Sequence, residues 1–267
     1  MIRLIATDLD GTLLCPGGKE ISPRNAKALE AAVSKGVHVI ISTGRLHTGA
    51  LPYARLLPGD VPVISANGAV VRTSRSGAYL RRCPVEPHLA REILPLLRAA
   101  GMSPWFYIGD TCWAERRDEG TAALEARTGA RIECVGDLAE KAEDGAEKIL
   151  GILPHDKTAR LQDELSEMYR GKLYVTRSAP NQIEILSPDA TKGLALEFAA
   201  QKLGIAREEI VAFGDNFNDL ELFRGAGIKV AMGNAEEPLK AAADIVTGTN
   251  EESGVAQVLE ELLSQQD

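Results

Sequence analysis

The stretch Ile5–Ala6–Thr7–Asp8–Leu9–Asp10–Gly11–Thr12 decides the reading of this chain. Ile2, Leu4, Ile5 and Ala6 read as a buried strand of a parallel sheet. In such sheets ligands bind outside the carboxyl ends of the strands, which is where Asp8 and Asp10 fall. Strand alternation puts residues i and i+2 on one side, and Gly11 lets the backbone turn away through angles that other residues resist. Two carboxylates so placed can divide the work of covalent catalysis, one attacking while its neighbour moves a proton. Two plainer readings fit the octet taken alone. A D-x-D-G string also opens a calcium loop, but that loop needs further oxygen ligands at fixed spacing and a closing Glu, and here Thr12, Leu13 and Leu14 follow. The other is a helix cap next to a turn aspartate.

Composition bounds the possibilities. The chain has 267 residues, 45% hydrophobic and 25% charged, ordinary for a globular protein. Its length fits one large domain or two smaller ones. The formal net charge of -8 argues against a nucleic-acid partner, which would ask for a basic face. It does not exclude an anionic substrate, because a local site can still be positive. Cys15, Cys83, Cys112 and Cys134 are irregularly spaced with no C-x-x-C pair. That excludes a zinc site or a disulfide framework, and free, mostly buried thiols in a reducing cytoplasm are expected. No apolar stretch reaches the ~18 residues a membrane span needs, and Asp8 interrupts the N-terminal run before it could serve as a signal peptide. The expectation is a cytoplasmic protein with no membrane partner, monomeric or a small homo-oligomer.

Strand and helix signals alternate over residues 1–82. A turn-rich stretch, Cys15-Pro16-Gly17-Gly18-Lys19, predicts a small hairpin beside the site. Ser22-Pro23 starts a helix that Gly36 stops. Val37–Ser42 and Val61–Ser65 are further buried strands, with a helix over much of 46–57, and Asn67-Gly68 is a strong turn signal. The rhythm resumes over residues 189–267, with Asn250 expected to cap a closing helix. Strands separated by helices predict an α/β fold, a Rossmann-like doubly wound parallel sheet. Residues 83–188 differ. Helical stretches (87–100, 120–128, 155–169) mix with strand-like ones (105–108, 148–153, 173–176, 182–186), and Pro84, Pro87 and Pro188 mark the edges. This segment reads as an inserted α+β domain covering the site of a core made from 1–82 and 189–267.

Three further signals fall where a shared site would lie. Ser42-Thr43-Gly44-Arg45 follows the second strand, where a hydroxyl and a backbone amide can hold a phosphate oxygen at a helix start. Lys192-Gly193 opens a helix, and a cation in the first turn opposes the helix dipole, so it asks for a carboxylate cluster or bound anion nearby. Gly214-Asp215-Asn216-Phe217-Asn218-Asp219 follows the strand ending at Phe213. Carboxylates converging there with Asp8 would make a hard oxygen site suited to Mg²⁺. Each signal has a plain alternative: a helix cap at Thr43, a solvated lysine at 192, a turn with an N-cap aspartate at 215–219. Four in order, each at the end of an apolar segment, are hard to produce by chance.

In these motifs the chain resembles the haloacid dehalogenase superfamily of phosphohydrolases, in particular its Cof-type branch. The matching residues are Asp8-Leu9-Asp10-Gly11-Thr12, Ser42-Thr43-Gly44-Arg45, Lys192-Gly193 and Gly214-Asp215 with Asn218-Asp219. Asn67-Gly68-Ala69 and Ala231-Met232-Gly233-Asn234-Ala235 also resemble that branch. The resemblance implies a Rossmann-like core with an α/β (C2B-like) cap, and hydrolysis of small phosphomonoesters through an aspartyl-phosphate. It makes Asp8 the nucleophile and Asp10 the general acid and then base, with Thr43 and Lys192 holding the phosphoryl oxygens. It gives Mg²⁺ to Asp8, the Asp10 carbonyl and Asp215, with Asp219 and Asn218 supporting from the edge. Gly44, Arg45 and Asn67 are then candidate substrate contacts, joined on the cap by Trp105, Tyr107, Trp113, Arg177 and Asn181. Phe223 stands where relatives often carry Met, a packing difference. No role falls to His38, His47, His88 or His155. A sugar phosphomutase could share this core and cap. A catalytically silent binding module would have lost Asp8, Asp10 or Lys192, and all three are present.

Overall fold

The computed structural model describes residues 1–265, apart from the side chains of residues 155 and 156. The chain first lays down β1 (Leu4–Thr7), α1 (Pro23–Ser34), β2 (His38–Ser42), α2 (His47–Ala54) and β3 (Pro62–Ser65). All four residues of β1 are buried, as the apolar Leu4, Ile5 and Ala6 require, with the Thr7 hydroxyl donating to the Asp8 carbonyl. It runs parallel to β2, and β2 parallel to β3. Ser22 caps α1 by accepting a hydrogen bond from the Asn25 N–H, and Pro23 occupies the first turn. Between β1 and α1 the predicted hairpin is present in miniature, as a single antiparallel bridge from Leu14 to Ile21. The Asn67-Gly68 turn then reverses the chain, and β4 (Val70–Thr73) and β5 (Tyr79–Arg82) extend the sheet antiparallel. The sequence reading misses these two strands. Four residues of mixed character carry too little periodicity to separate from a loop.

The next segment builds a second sheet. It contributes α3 (Pro87–Ala99), β6 (Trp105–Ile108), β7 (Thr111–Ala114), α4 (Glu119–Thr128), β8 (Arg131–Cys134), β9 (Lys148–Ile152), α5 (His155–Met168), β10 (Tyr174–Ala179) and β11 (Gln182–Leu186). The strand order is β10-β11-β9-β6-β7-β8, antiparallel except where β7 meets β8. α3 buries Leu89, Ala90, Ile93, Leu94 and Leu97 in the same cluster as Phe106, Ile149, Ile183 and Ile185 of the strands. The expected helices and four of these strands are present; β7 and β8 are additions.

The remaining chain supplies α6 (Lys192–Leu203), β12 (Ile210–Gly214), α7 (Asp219–Arg224), β13 (Ile228–Ala231), α8 (Glu237–Ala242), β14 (Ile245–Val246) and α9 (Gly254–Ser264). β12 joins the first sheet on the free side of β1, in register from Leu4–Ile210 to Thr7–Phe213. The eight-stranded order is β14-β13-β12-β1-β2-β3-β4-β5, and its first six strands are parallel. The expected α/β doubly wound fold is therefore present, with an antiparallel edge added. Strand order reverses at β1, so a crevice opens at the carboxyl end of that strand.

Two expectations need correction. Ser253, not Asn250, precedes α9; the Asn250 amide instead donates to the Leu14 carbonyl at 2.7 Å and ties the loop after β1. The cysteines are free but not mostly buried: Cys112 is buried, Cys15 and Cys83 are half-buried and Cys134 is exposed. Among the described residues, no helix is long and apolar enough to cross a membrane.

Candidate active site

Asp8 follows β1 directly, and the chain leaves through a wide turn closed by the Leu13 N–H on the Asp8 carbonyl at 3.3 Å and the Leu14 N–H on the Leu9 carbonyl at 2.9 Å. Gly11 in that turn has φ +79°, and a Cβ there would lie 2.3 Å from Asp215 Oδ2. Only glycine admits Asp215 this close. Lys192 opens α6, whose N-cap Thr191 accepts the Leu194 N–H at 3.1 Å. Its Nζ donates to Asp8 Oδ1 at 2.8 Å and to Asp219 Oδ1 at 2.7 Å. The carboxylates that a first-turn cation asks for are thus both present. Asp219 Oδ2 accepts the N–H groups of Asp215 and Asn216 at 3.0 and 3.1 Å, and Thr12 Oγ1 donates to Asp215 Oδ1 at 2.8 Å.

Carboxylate oxygens of Asp8, Asp215 and Asp219 lie within 4.8 Å of one another. Burial raises the Asp8 carboxyl to about 7 against the pull of Lys192, with Asp219 and Asp10 adding repulsion. Burial raises Asp215 well above the carboxylate range, with Asp8 and Asp219 reinforcing it. Burial opposes the charge on Lys192, but Asp219 and Asp8 outweigh it and hold that ammonium above its ordinary value. One lysine therefore faces three buried carboxyls. A hard cation would complete the balance, and the donor set suits it. Both Asp219 oxygens are occupied by hydrogen bonds, whereas no donor among the described residues reaches Asp8 Oδ2 or Asp215 Oδ2.

A second arm comes from the loops after β2 and β3. Thr43 is buried, its Oγ1 accepting the Arg45 N–H at 3.2 Å. Arg45 does not point free toward the cleft. It grips Asp10 with two bonds, Nε to Oδ2 at 2.7 Å and Nη2 to Oδ1 at 2.6 Å, and also holds the Gly18 carbonyl at 2.8 Å. A bidentate pair of this kind fixes both orientation and charge. Asn67 is likewise committed: its Nδ2 donates to Glu184 Oε2 at 2.5 Å and its Oδ1 accepts from Asn218 Nδ2 at 3.0 Å. Ala66 and Asn67 have φ +46° and +56°, an uncommon backbone for non-glycine residues that costs of order 1–3 kcal/mol each and persists where the surroundings over-determine it.

The second sheet closes the cleft with residues the sequence reading does not single out. Lys148 of β9 and Glu184 of β11 are 1% exposed. They pair at 2.6 Å, and Lys148 Nζ lies 4.6 Å from the Tyr107 ring centroid. Both residues line one cleft with Asp8, Asp10, Thr43 and Tyr107. The signal available was a charge heading the apolar run of β9 and another inside β11, each costly to bury unless paired. Of the other expected contacts, Arg177 stacks on Phe217 at 4.5 Å, at the loop that carries Asp215. Trp105 is buried beside Gly120, Trp113 carries Lys141 on its face, and Asn181 accepts the Leu153 N–H through its carbonyl; none of the three lines the cleft. His47 is buried and pushed down to about 4 by burial and Arg72, which leaves it neutral. His155 lies outside the described side chains.

A family model described as haloacid dehalogenase-like hydrolase matches residues 5–259. The chain belongs to the haloacid dehalogenase-like hydrolases. Within that family it sits in the Cof-type branch, and it is a phosphatase enzyme. It is 32% identical over 265 residues to the pyridoxal phosphate phosphatase YbhA of Escherichia coli, covering 96% of this chain and 97% of that protein. It is 32% identical over 259 residues to the 5-amino-6-(5-phospho-D-ribitylamino)uracil phosphatase YcsE of Bacillus subtilis, covering 97% and 94%. A solved haloacid dehalogenase-like hydrolase from B. subtilis superposes with a TM-score of 0.89 at 30% identity, covering 98% of this chain and all of the other.

Proposed function

We propose that this chain is a Mg²⁺-dependent phosphomonoesterase of small phosphorylated metabolites that works through an aspartyl-phosphate on Asp8. One observation carries the reading. A carboxylate ends the central strand at a topological switch point, with a buried ammonium 2.8 Å away and a second carboxylate, Asp215, beside it. The assignment divides the chain into a core of residues 1–82 and 189–267 and a cap of residues 83–188.

An oxygen of Asp8 attacks phosphorus while the bond from phosphorus to the leaving oxygen breaks, and Asp10 gives that oxygen a proton. Asp10 then takes a proton from water. The water oxygen attacks phosphorus, the bond to Asp8 breaks, and phosphate leaves with both side chains restored. Asp10 must loosen its grip on Arg45 to reach the leaving group. Thr43 Oγ1 and Lys192 Nζ hold the transferring oxygens, and Lys192 offsets part of the repulsion between Asp8 and an anion. Asp8, the Asp10 carbonyl and Asp215 would hold the metal ion, and Asp219 orients Lys192 and the backbone of Asp215. Mg²⁺ held by these residues would supply positive charge that offsets the repulsion between Asp8 and an anionic substrate. The cap excludes water and meets the leaving group. The pyridoxal and ribitylaminouracil phosphates named for the relatives support a small-metabolite substrate.

The test is phosphate release from sugar phosphates, nucleotides, pyridoxal phosphate and a chromogenic ester, with Mg²⁺, with EDTA, and with Asp8→Asn. Release that requires both Mg²⁺ and Asp8 is expected. Release that survives EDTA or the Asp8 substitution overturns the mechanism.

A further inference from the structure

Two core loops are stitched together by their backbones: the Asn67 N–H donates to the Thr43 carbonyl at 3.0 Å and the Ala66 N–H to the Arg45 carbonyl at 2.8 Å. The second sheet grips both loops from outside. Lys148 Nζ donates to the Gly44 carbonyl at 2.6 Å, and Glu184 accepts the Asn67 side chain at 2.5 Å. The two grips are one unit, because Lys148 and Glu184 are bonded to each other. From Asn67 the contact continues to Asn218, the residue before Asp219. The same turn presses on the start of α6. A Cβ at Gly68 would lie 2.1 Å from the Thr191 carbonyl and 2.9 Å from the Lys192 nitrogen. One ion pair on the second sheet therefore reaches the segments that carry Thr43, Asp219 and Lys192.

The strained turn is an independent sign of the same thing. Ala66 and Asn67 adopt positive φ in succession, and such a backbone needs anchors to persist. Asn67 is anchored by Glu184 across the domain boundary. A lysine and a glutamate almost wholly removed from water are satisfied only while every partner is in place. Those partners include loops of the first sheet at Gly44 and Asn67, so the full set of bonds exists only with the second sheet seated.

We propose that Lys148 and Glu184 are positioning residues through which seating of the second sheet sets the Thr43 and Asn67 loops for phosphoryl transfer. Its kinetic consequence rests on the phosphatase reading; the structural coupling does not. Lys148→Met alone strands a buried carboxylate and destabilises the protein. The informative variant is Lys148→Met with Glu184→Gln, which removes both charges together and leaves no unpaired one.

Two readouts on this double variant test the proposal. The first is amide hydrogen exchange at Arg45 and Asn67, which needs no activity. Exchange at least about tenfold faster there, with β1 amides unchanged, is expected if the pair holds the loops. Exchange unchanged at both amides overturns it. The second is turnover of a chromogenic phosphomonoester: a kcat loss of at least about tenfold with KM altered by less than about threefold supports positioning. A kcat that recovers in step with the thermal midpoint, relative to Lys148→Met, assigns the pair a merely structural role and overturns it. Asn67→Gly removes the grip from the core side while accepting positive φ, and should also speed exchange at Arg45. Absence of Mg²⁺-dependent release from the unaltered enzyme would refute the phosphatase reading while the exchange result still decides the coupling.

Discussion

The two sheets write their chemistry into sequence differently. In the first, each group of the site stands at a strand end or helix start: Asp8 after β1, Thr43 after β2, Lys192 opening α6, Asp215 after β12. Such positions need special backbone, and the backbone leaves local marks such as Gly11 beside Asp10 and Gly214 before Asp215. In the second sheet, Lys148 heads Lys-Ile-Leu-Gly-Ile and Glu184 is the third residue of Gln-Ile-Glu-Ile-Leu, and both are laddered to a neighbouring strand and carried on the sheet face. A sheet face needs no unusual backbone to carry a charge. What the charge meets is fixed only when the two sheets come together. Loops beyond strand ends thus advertise chemistry, and residues held within the ladder conceal it.

The largest effect should fall on the advertised side. Asp8→Asn is expected to cut turnover at least about 10³-fold with the fold retained, checked by phosphate release beside circular dichroism. A substitution of Glu184 that cost as much would break the contrast. Next in size is Lys192→Met, which leaves Asp8 and Asp219 buried without their cation. A loss of about 3–5 kcal/mol is expected, as for breaking a buried pair, and urea unfolding measures it.

Glycines sharpen the contrast further. Gly68→Ala should destabilise more than Gly171→Ala by at least about 1 kcal/mol. Both positions have positive φ, but a Cβ at Gly68 meets the Thr191 carbonyl at 2.1 Å and one at Gly171 meets nothing within 4 Å. Equal losses in thermal melts would mean that the turn does not press on α6.

The most condition-dependent effect is a matter of pH. Burial raises Asp8 in the folded protein to about 7, against 3.8 ordinarily. The metal-free folded state therefore binds this proton more tightly than the unfolded chain. By linkage, Asp8 contributes stability that grows as pH falls from about 7 toward 4 and is lost as pH rises through 7. The thermal midpoint of the metal-free enzyme, compared with Asp8→Asn, should reveal this slope, and saturating Mg²⁺ should flatten it. A slope of opposite sign would show that Lys192 alone neutralises the site.

The parallel part of the fold was legible because buried strands and capped helices alternate with strong periodicity. Ser22-Pro23 at α1 and the apolar run before Asp8 are examples. β4, β5, β7 and β8 were not, because four residues that mix apolar with polar or charged side chains do not separate from a loop, as the apolar run of β6 does. Four of the site's motifs were legible for the reason given above. Arg45 was expected to face a ligand, and its pairing with Asp10 could not be read. The two are 35 positions apart, and only the folded hairpin loop between them brings Gly18 and Asp10 to the same guanidinium. Lys148 and Glu184 were hidden by the same kind of distance.

The seating of β12 against β1 has a consequence for how the molecule comes into being. The bonds that organise the centre join residues 203 apart (Thr12 to Asp215) and 184 apart (Lys192 to Asp8). A chain emerging from the ribosome presents Asp8 long before Lys192, which follows 184 positions later. Until β12 arrives, one edge of β1 has no neighbour and offers unpaired backbone groups to any passing strand. Contacts this remote in sequence also form slowly. The central strand is thus made well before β12 and completed only when β12 arrives, so a chain truncated before β12 has an aggregation-prone edge and lacks Asp215 and Asp219.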